Sequence, residues 1–126
     1  MKIVFVAGSR KFYADVERAA ALCRTLGMRA ATAGKLARKD TARGEKEALR
    51  RAFGRIDASD ALYVVARHGY VGRAVSLEIG YAYAHGKPVI ASELLRDLAV
   101  RALVSGVSAP TGLARYIRRA KKSARR

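Results

Sequence analysis

A chain of 126 residues is long enough for one packed domain and too short for two. Hydrophobic residues make up 51% and charged residues 29%, no apolar run approaches a membrane span, and no signal-peptide pattern precedes the first strand; a soluble, cytoplasmic, globular protein without a membrane partner is expected. The net charge of +16 is unevenly held: residues 98–126 contain eight Lys and Arg and no acid, while the remainder carries 18 basic against 10 acidic residues, a field that attracts polyanions without specifying a fold.

Residues 2–6 read as an apolar strand, and Ala7-Gly8-Ser9-Arg10 turns it toward a helix over 14–26. A strand ending in glycine before a helix can present backbone N–H groups to an anion, with the Ser9 hydroxyl and Arg10 guanidinium beside them. The other reading is an ordinary tight turn with one exposed arginine. Neither the three-glycine dinucleotide fingerprint nor the Lys-Ser/Thr of a P-loop is present. Cys23 falls in step with Val16, Ala19 and Leu26 on one predicted helix face, which suits a small buried side chain rather than a catalytic thiol.

Residues 28–32 form an alanine-rich strand candidate, needed between the flanking helices. The loop over 34–44 carries Lys35, Arg38, Lys39 and Arg43 against Asp40, a set able to clasp a phosphate or simply to remain solvated. A helix over 45–57 sets Ala48, Leu49, Ala52, Phe53 and Ile56 on its inner face. The short apolar run 61–66 reads as a central strand covered on both faces. Gly69 and Gly72 bracket the loop after it, and a helix over 76–85 follows, with Leu77, Tyr81 and Ala84 at helical spacing and Glu78 in its first turn. Gly86-Lys87-Pro88 returns the chain to a strand over 87–91. A helix over 94–104, a connection through Pro110 and a basic helix from Thr111 complete the pattern.

Strands alternating with helices through short connections predict a three-layer α/β domain of flavodoxin or Rossmann type, with a mostly parallel sheet of four or five strands in the order 2-1-3-4 and a possible fifth near 104–107. The expected division is a domain over 1–114 and a basic tail over 115–126, where seven of twelve residues are Lys or Arg. In that order the switch point lies between the first and third strands, so Gly8-Ser9-Arg10 and the segment from His68 to Glu78 would line one crevice. A carboxylate there can attack a sugar anomeric carbon and form a glycosyl ester; a glutamate near a helix start is otherwise a favourable charge–dipole pairing. Tyr70, in the glycine-bracketed loop, is the best placed of Tyr13, Tyr70 and Tyr81 to stack on a base.

Ile56-Asp57-Ala58-Ser59-Asp60-Ala61-Leu62-Tyr63-Val64-Val65, then Gly69-Tyr70-Val71-Gly72, then Leu77-Glu78-Ile79-Gly80-Tyr81-Ala82 and Gly86-Lys87-Pro88-Val89 resemble the nucleoside 2-deoxyribosyltransferase superfamily, and Val6-Ala7-Gly8-Ser9-Arg10 fits it as well. The resemblance implies a flavodoxin-like fold, an N-glycosidic transfer or cleavage on deoxynucleosides or their 5′-monophosphates, no cofactor or metal, and assembly into at least a dimer. It gives Glu78 the nucleophile's place and Gly8, Ser9 and Arg10 that of the first loop, which touches the substrate's phosphate. Two positions depart from the family pattern. Ala52 or a neighbour stands where an aspartate helps protonate the departing base, with Asp57 the nearest carboxylate, and Gly72 stands where transferases hold the sugar hydroxyls with an acid. His68 is a substitute acid, or else a solvent-facing loop residue. The expected site is Glu78 with Gly8, Ser9, Arg10, Asp57, His68, Gly69, Tyr70 and Gly72. Two other readings stand beside the enzyme: a nucleotide-sensing module of the same fold, and a basic protein binding nucleic acid nonspecifically through the tail and the 35–43 loop.

Overall fold

Alternation along the strands determines how the domain is layered. In the computed structural model, which describes residues 2–34 and 41–124 with side chains through Ala120, β1 (Ile3–Gly8) sends Phe5 and Ala7 to one face of the sheet and Val4 and Val6 to the other. The next central strand, β3 (Ala61–Val65), divides in the same way, Leu62 and Val64 opposing Ala61, Tyr63 and Val65. Both faces therefore need cover, and the helices supply it. On one side α1 (Tyr13–Thr25) and α5 (Leu113–Ala124) pack through Val16, Ala20, Cys23, Leu113 and Ile117; on the other lie α2 (Ala42–Asp57), α3 (Arg73–Ala84) and the single turn α4 (Leu98–Arg101).

With β2 (Arg29–Thr32), β4 (Val89–Ala91) and β5 (Gly106–Val107) the sheet has five parallel strands in the order β2-β1-β3-β4-β5, as the alternating pattern predicts. Gly8 pairs with Val65 in the β1–β3 register, and a Cβ there would lie 2.6 Å from Val16 Cγ2 and 2.9 Å from the Val65 carbonyl oxygen, so glycine lets α1 close on the sheet. No helix among the described residues is long and apolar enough to cross a membrane.

Several boundaries differ from the expected ones for local reasons. Thr41 caps α2 by accepting the Gly44 N–H at 3.0 Å, which starts that helix three residues early. Asp97 caps α4 in the same manner through Ala99 and Val100, so residues 94–97 are loop and only one helical turn forms where a helix over 94–104 was expected. Helix α3 begins at Arg73, one turn before the predicted start, and Glu78 consequently sits in its second turn rather than its first. The inward face of α3 is Val75, Glu78, Ile79 and Ala82; Leu77 and Ala84, expected inside, are exposed. Cys23 is fully buried, and burial pushes its thiol up, which leaves it protonated and inert; Leu26, expected beside it, is exposed. Ile117, within the expected tail, is fully buried against the sheet.

Candidate functional site

Parallel strands deliver their following loops to one edge, and here the loops after β1 and β3 meet at the switch point of the sheet. The β1 loop is a short 3-10 turn, Arg10–Phe12, whose start is capped by Ser9 Oγ accepting the Lys11 N–H. Arg10 is exposed. Across from it the β3 loop makes a β-turn closed by the Tyr70 N–H donating to the Arg67 carbonyl at 3.0 Å. Its central residues His68 and Gly69 have φ of 54° and 74°, the pair of positive values that a type I′ turn demands.

Three contacts tie these loops together. Arg67 reaches Asp15 of α1 at 2.8 Å, the Tyr70 ring meets Phe12 edge-on at 6.5 Å between centroids, and Lys11 Nζ stands 4.8 Å above the Tyr70 ring. The structure thus brings together Gly8, Ser9, Arg10, His68, Gly69, Tyr70 and Gly72. Tyr13 packs instead against the α1 side of the core. Lys35, Arg38, Lys39 and Asp40 of the expected phosphate clasp lie outside the described residues, and Arg43 belongs to the first turn of α2, where it pairs with Glu47 at 3.5 Å.

Gly72 is the N-cap of α3 and contributes no capping side chain. From there the helix runs back from the carboxyl edge, and Glu78 lies about 9 Å along its axis. Helical side chains lean toward the N-terminus, so its carboxyl is carried back toward the loops. Glu78 is 7% exposed, and among the described residues no hydrogen bond or ion pair holds it. Desolvation raises its pKa to about 7. A glutamate at that value is divided between acid and carboxylate at neutral pH, and either proton transfer or nucleophilic attack is open to it.

Asp57 is not part of this gathering. It ends α2 at the opposite, amino edge of the sheet, where Tyr81 donates its hydroxyl to the Asp57 carboxylate at 2.8 and 3.0 Å and Lys87 bonds the Asp57 and Ser59 carbonyls. Tyr81, in turn, stacks between Phe53 and His85. Ala52, where the family pattern has an acid, is buried on the inner face of α2.

Sequence reasoning puts Ser92-Glu93 at the carboxyl edge without giving them a role, and does not single out Arg96; together these residues fix the β3 turn. The Glu93 carboxylate accepts the Gly69 N–H, the Arg96 N–H donates to the Gly69 carbonyl at 3.0 Å, and Ser92 Oγ accepts the Ala66 N–H at 3.0 Å. Their signal was position alone: Ser92-Glu93 follows β4 and so emerges at the same edge. A shallow depression of about 380 Å³ lies between this turn and the β4 loop, lined by Gly69, Tyr70, Val71, Ser76, Arg96 and Asp97. Ser76 and Glu78 project about 200° apart on α3, so that depression and the Glu78 carboxyl are on different sides of the helix.

No family model matches the chain, and no curated protein matches it. Among solved structures, it is similar to a conserved protein from Enterococcus faecalis, with TM-score 0.70 at 19% identity over 94% of this chain and 98% of that one. It is also similar to a 2-deoxyribosyltransferase from the psychrotolerant bacterium Bacillus psychrosaccharolyticus, with TM-score 0.67 at 15% identity over 90% of each chain. The chain therefore has the α/β fold of a nucleoside 2-deoxyribosyltransferase.

Proposed function

We propose that this protein cleaves or transfers the N-glycosidic bond of a deoxynucleoside or its 5′-monophosphate, with Glu78 as nucleophile. The observation that carries the reading is Glu78, 7% exposed, whose carboxyl has no partner among the described residues and is not sealed from solvent, behind the glycine-bracketed loop at the switch point of the sheet. Desolvation of Glu78 costs the fold free energy, and a carboxylate without a partner is free to attack carbon once it is ionised. The Glu78 carboxylate attacks C1′, the C–N bond breaks, and its electron pair leaves with the base, which takes a proton from solvent or from His68. Water or a second base then opens the glycosyl ester and frees Glu78. Gly8, Ser9 and Arg10 receive the 5′-phosphate in this scheme, Gly69 shapes the turn from which Tyr70 offers a face to the base, and Gly72 leaves room for the sugar. Assembly into at least a dimer, which the resemblance implies, is part of this proposal.

A second reading, a nucleotide sensor without turnover, is favoured by Ala52 in the position of the family's acid. One experiment separates the two. The protein is incubated with a panel of deoxynucleosides and their monophosphates and free base is followed by chromatography. Base release that rises with pH to a plateau above about 7 and vanishes in Glu78→Gln supports the covalent enzyme. Binding without release from any member of the panel assigns the sensor, and undiminished release by Glu78→Gln overturns the nucleophile.

A further inference from the structure

The charge of this protein is not evenly clothed with counter-charge, and α5 is where the imbalance is greatest. Leu113 and Ile117 anchor the helix, both fully buried, while Arg115, Arg118 and Arg119 face solvent. None of these three arginines is paired with a carboxylate among the described residues, and residues 98–126 contain no acid at all. Helix α2, on the opposite face of the sheet, differs: Lys46, Arg50 and Arg51 are exposed there too, but Glu45 and Glu47 are interspersed and Arg43 is paired with Glu47.

We propose that the solvent face of α5 is a docking surface for the phosphate backbone of a double-stranded nucleic acid. Three guanidinium groups within about 6 Å of helix axis meet a strand that carries one phosphate per about 3.4 Å, and each arginine can offer two N–H donors to a phosphate. Lys121, Lys122, Arg125 and Arg126 extend the same basic run in the sequence. Two features select this partner over other polyanions. An amphipathic helix that docks on a lipid surface needs a free apolar face, and that of α5 is consumed by the core. Single strands are gripped by exposed aromatic side chains, and Tyr116, the aromatic residue of α5, is half-buried over Gly106. The described face offers guanidinium groups and no amide or apolar reader, and phosphate contacts of this kind position a protein on a duplex without carrying sequence information. This inference is independent of the Glu78 chemistry.

The test compares two variants that lose the same charge. Full-length protein, the triple variant Arg115→Gln, Arg118→Gln, Arg119→Gln, and a control with Lys46→Gln, Arg50→Gln and Arg51→Gln are titrated against mixed-sequence DNA and RNA duplexes by fluorescence anisotropy over a range of salt. Gln matches Arg and Lys in helix propensity, and circular dichroism verifies that both variants keep the fold. The α5 variant is expected to bind about tenfold or more weakly at low salt, with the slope of log affinity against log salt reduced by about 2–3, and the control to lose clearly less. Equal effects on both duplexes identify the shared phosphate chemistry, and a preference for one of them names the source. Equal losses in the two variants would show that net charge alone is sensed and overturn the assignment to α5. So would failure of the full-length protein to bind either duplex, or stronger binding to phosphatidylserine vesicles than to both.

Discussion

The two edges of the sheet treat their carboxylates in opposite ways. At the amino edge, Asp57 is exposed and its carboxylate accepts a bifurcated hydrogen bond from the hydroxyl of Tyr81, whose ring is stacked between Phe53 and His85. Everything about that residue is explained by the packing of α2 against α3. At the carboxyl edge, Glu78 is buried with no partner among the described residues, and the loop beside it holds two consecutive residues at positive φ. Burial without pairing costs the fold free energy, and backbone strain does too. The difference teaches where function is to be sought: a carboxylate whose surroundings satisfy it serves the structure, and one whose surroundings oppose its charge is kept for another reason.

The largest effect that can break this contrast comes from neutralising Glu78. The unfolded chain ionises this residue near 4.5 and the folded chain near 7. Below the first value both states carry the proton and the group is neutral in the balance. As pH rises between the two, the unfolded state releases its proton first, so the wild type loses stability relative to Glu78→Gln, and above about 7 the loss is complete. The variant should therefore gain about 3 kcal/mol on the wild type between pH 4 and pH 8, read from denaturant unfolding at each pH. A stability difference that does not move with pH would mean that the carboxyl is solvated or paired, and the contrast between the edges would collapse.

The next effect tests the strain beside it. Gly69 sits at φ 74°, both of its backbone groups are bonded to the β4 loop, and a Cβ would come within 2.8 Å of the Leu94 carbonyl oxygen. Gly69→Ala is expected to cost about 2 kcal/mol in thermal or chemical unfolding, because neither the backbone nor a carbonyl can yield as a side-chain tip does. A Gly69→Ala variant as stable as the wild type would show that the turn has slack.

How much of this was legible in the sequence depended on whether a feature is local. Strand order followed from short apolar runs such as 61–66 and from the handedness of crossovers, and these are properties of neighbouring residues. The glycine pair around Tyr70 marked the loop for the same reason. The start of α3 was misplaced because Arg73 and Ala74 carry little apolar signal, which put Glu78 in the wrong turn. Leu77 was put inside because Leu77, Tyr81 and Ala84 recur at helical spacing, whereas the apolar inner face is Val75, Ile79 and Ala82. The roles of Glu93 and Arg96 were not legible because they bond a turn 24 and 27 residues away in the chain, a relation that no spacing rule contains. Asp57 was expected near the site as the carboxylate closest in sequence to Ala52, but a residue that ends a helix before a parallel strand lies at the strand's amino end.

That geometry yields the smallest expected effect and the sharpest reading of the comparison. Asp57→Asn keeps the shape of the side chain and an acceptor for the Tyr81 hydroxyl, while removing the charge. The hydrogen bond to Asp57 is the foremost cause holding the Tyr81 hydroxyl above its ordinary pKa, so the variant should lower the pH at which Tyr81 titrates, followed by its ultraviolet absorbance. Its unfolding midpoint should fall by less than that of Gly69→Ala, since the site is exposed and water replaces what is lost. Base release, if Glu78 acts as proposed, should be unchanged, because Asp57 and the loops after β1 and β3 stand at opposite edges of the sheet. A substantial loss of turnover with the tyrosine titration unmoved would place Asp57 in contact with substrate, and would require α2 or the whole amino edge to take part in a site that the static arrangement confines to the other end.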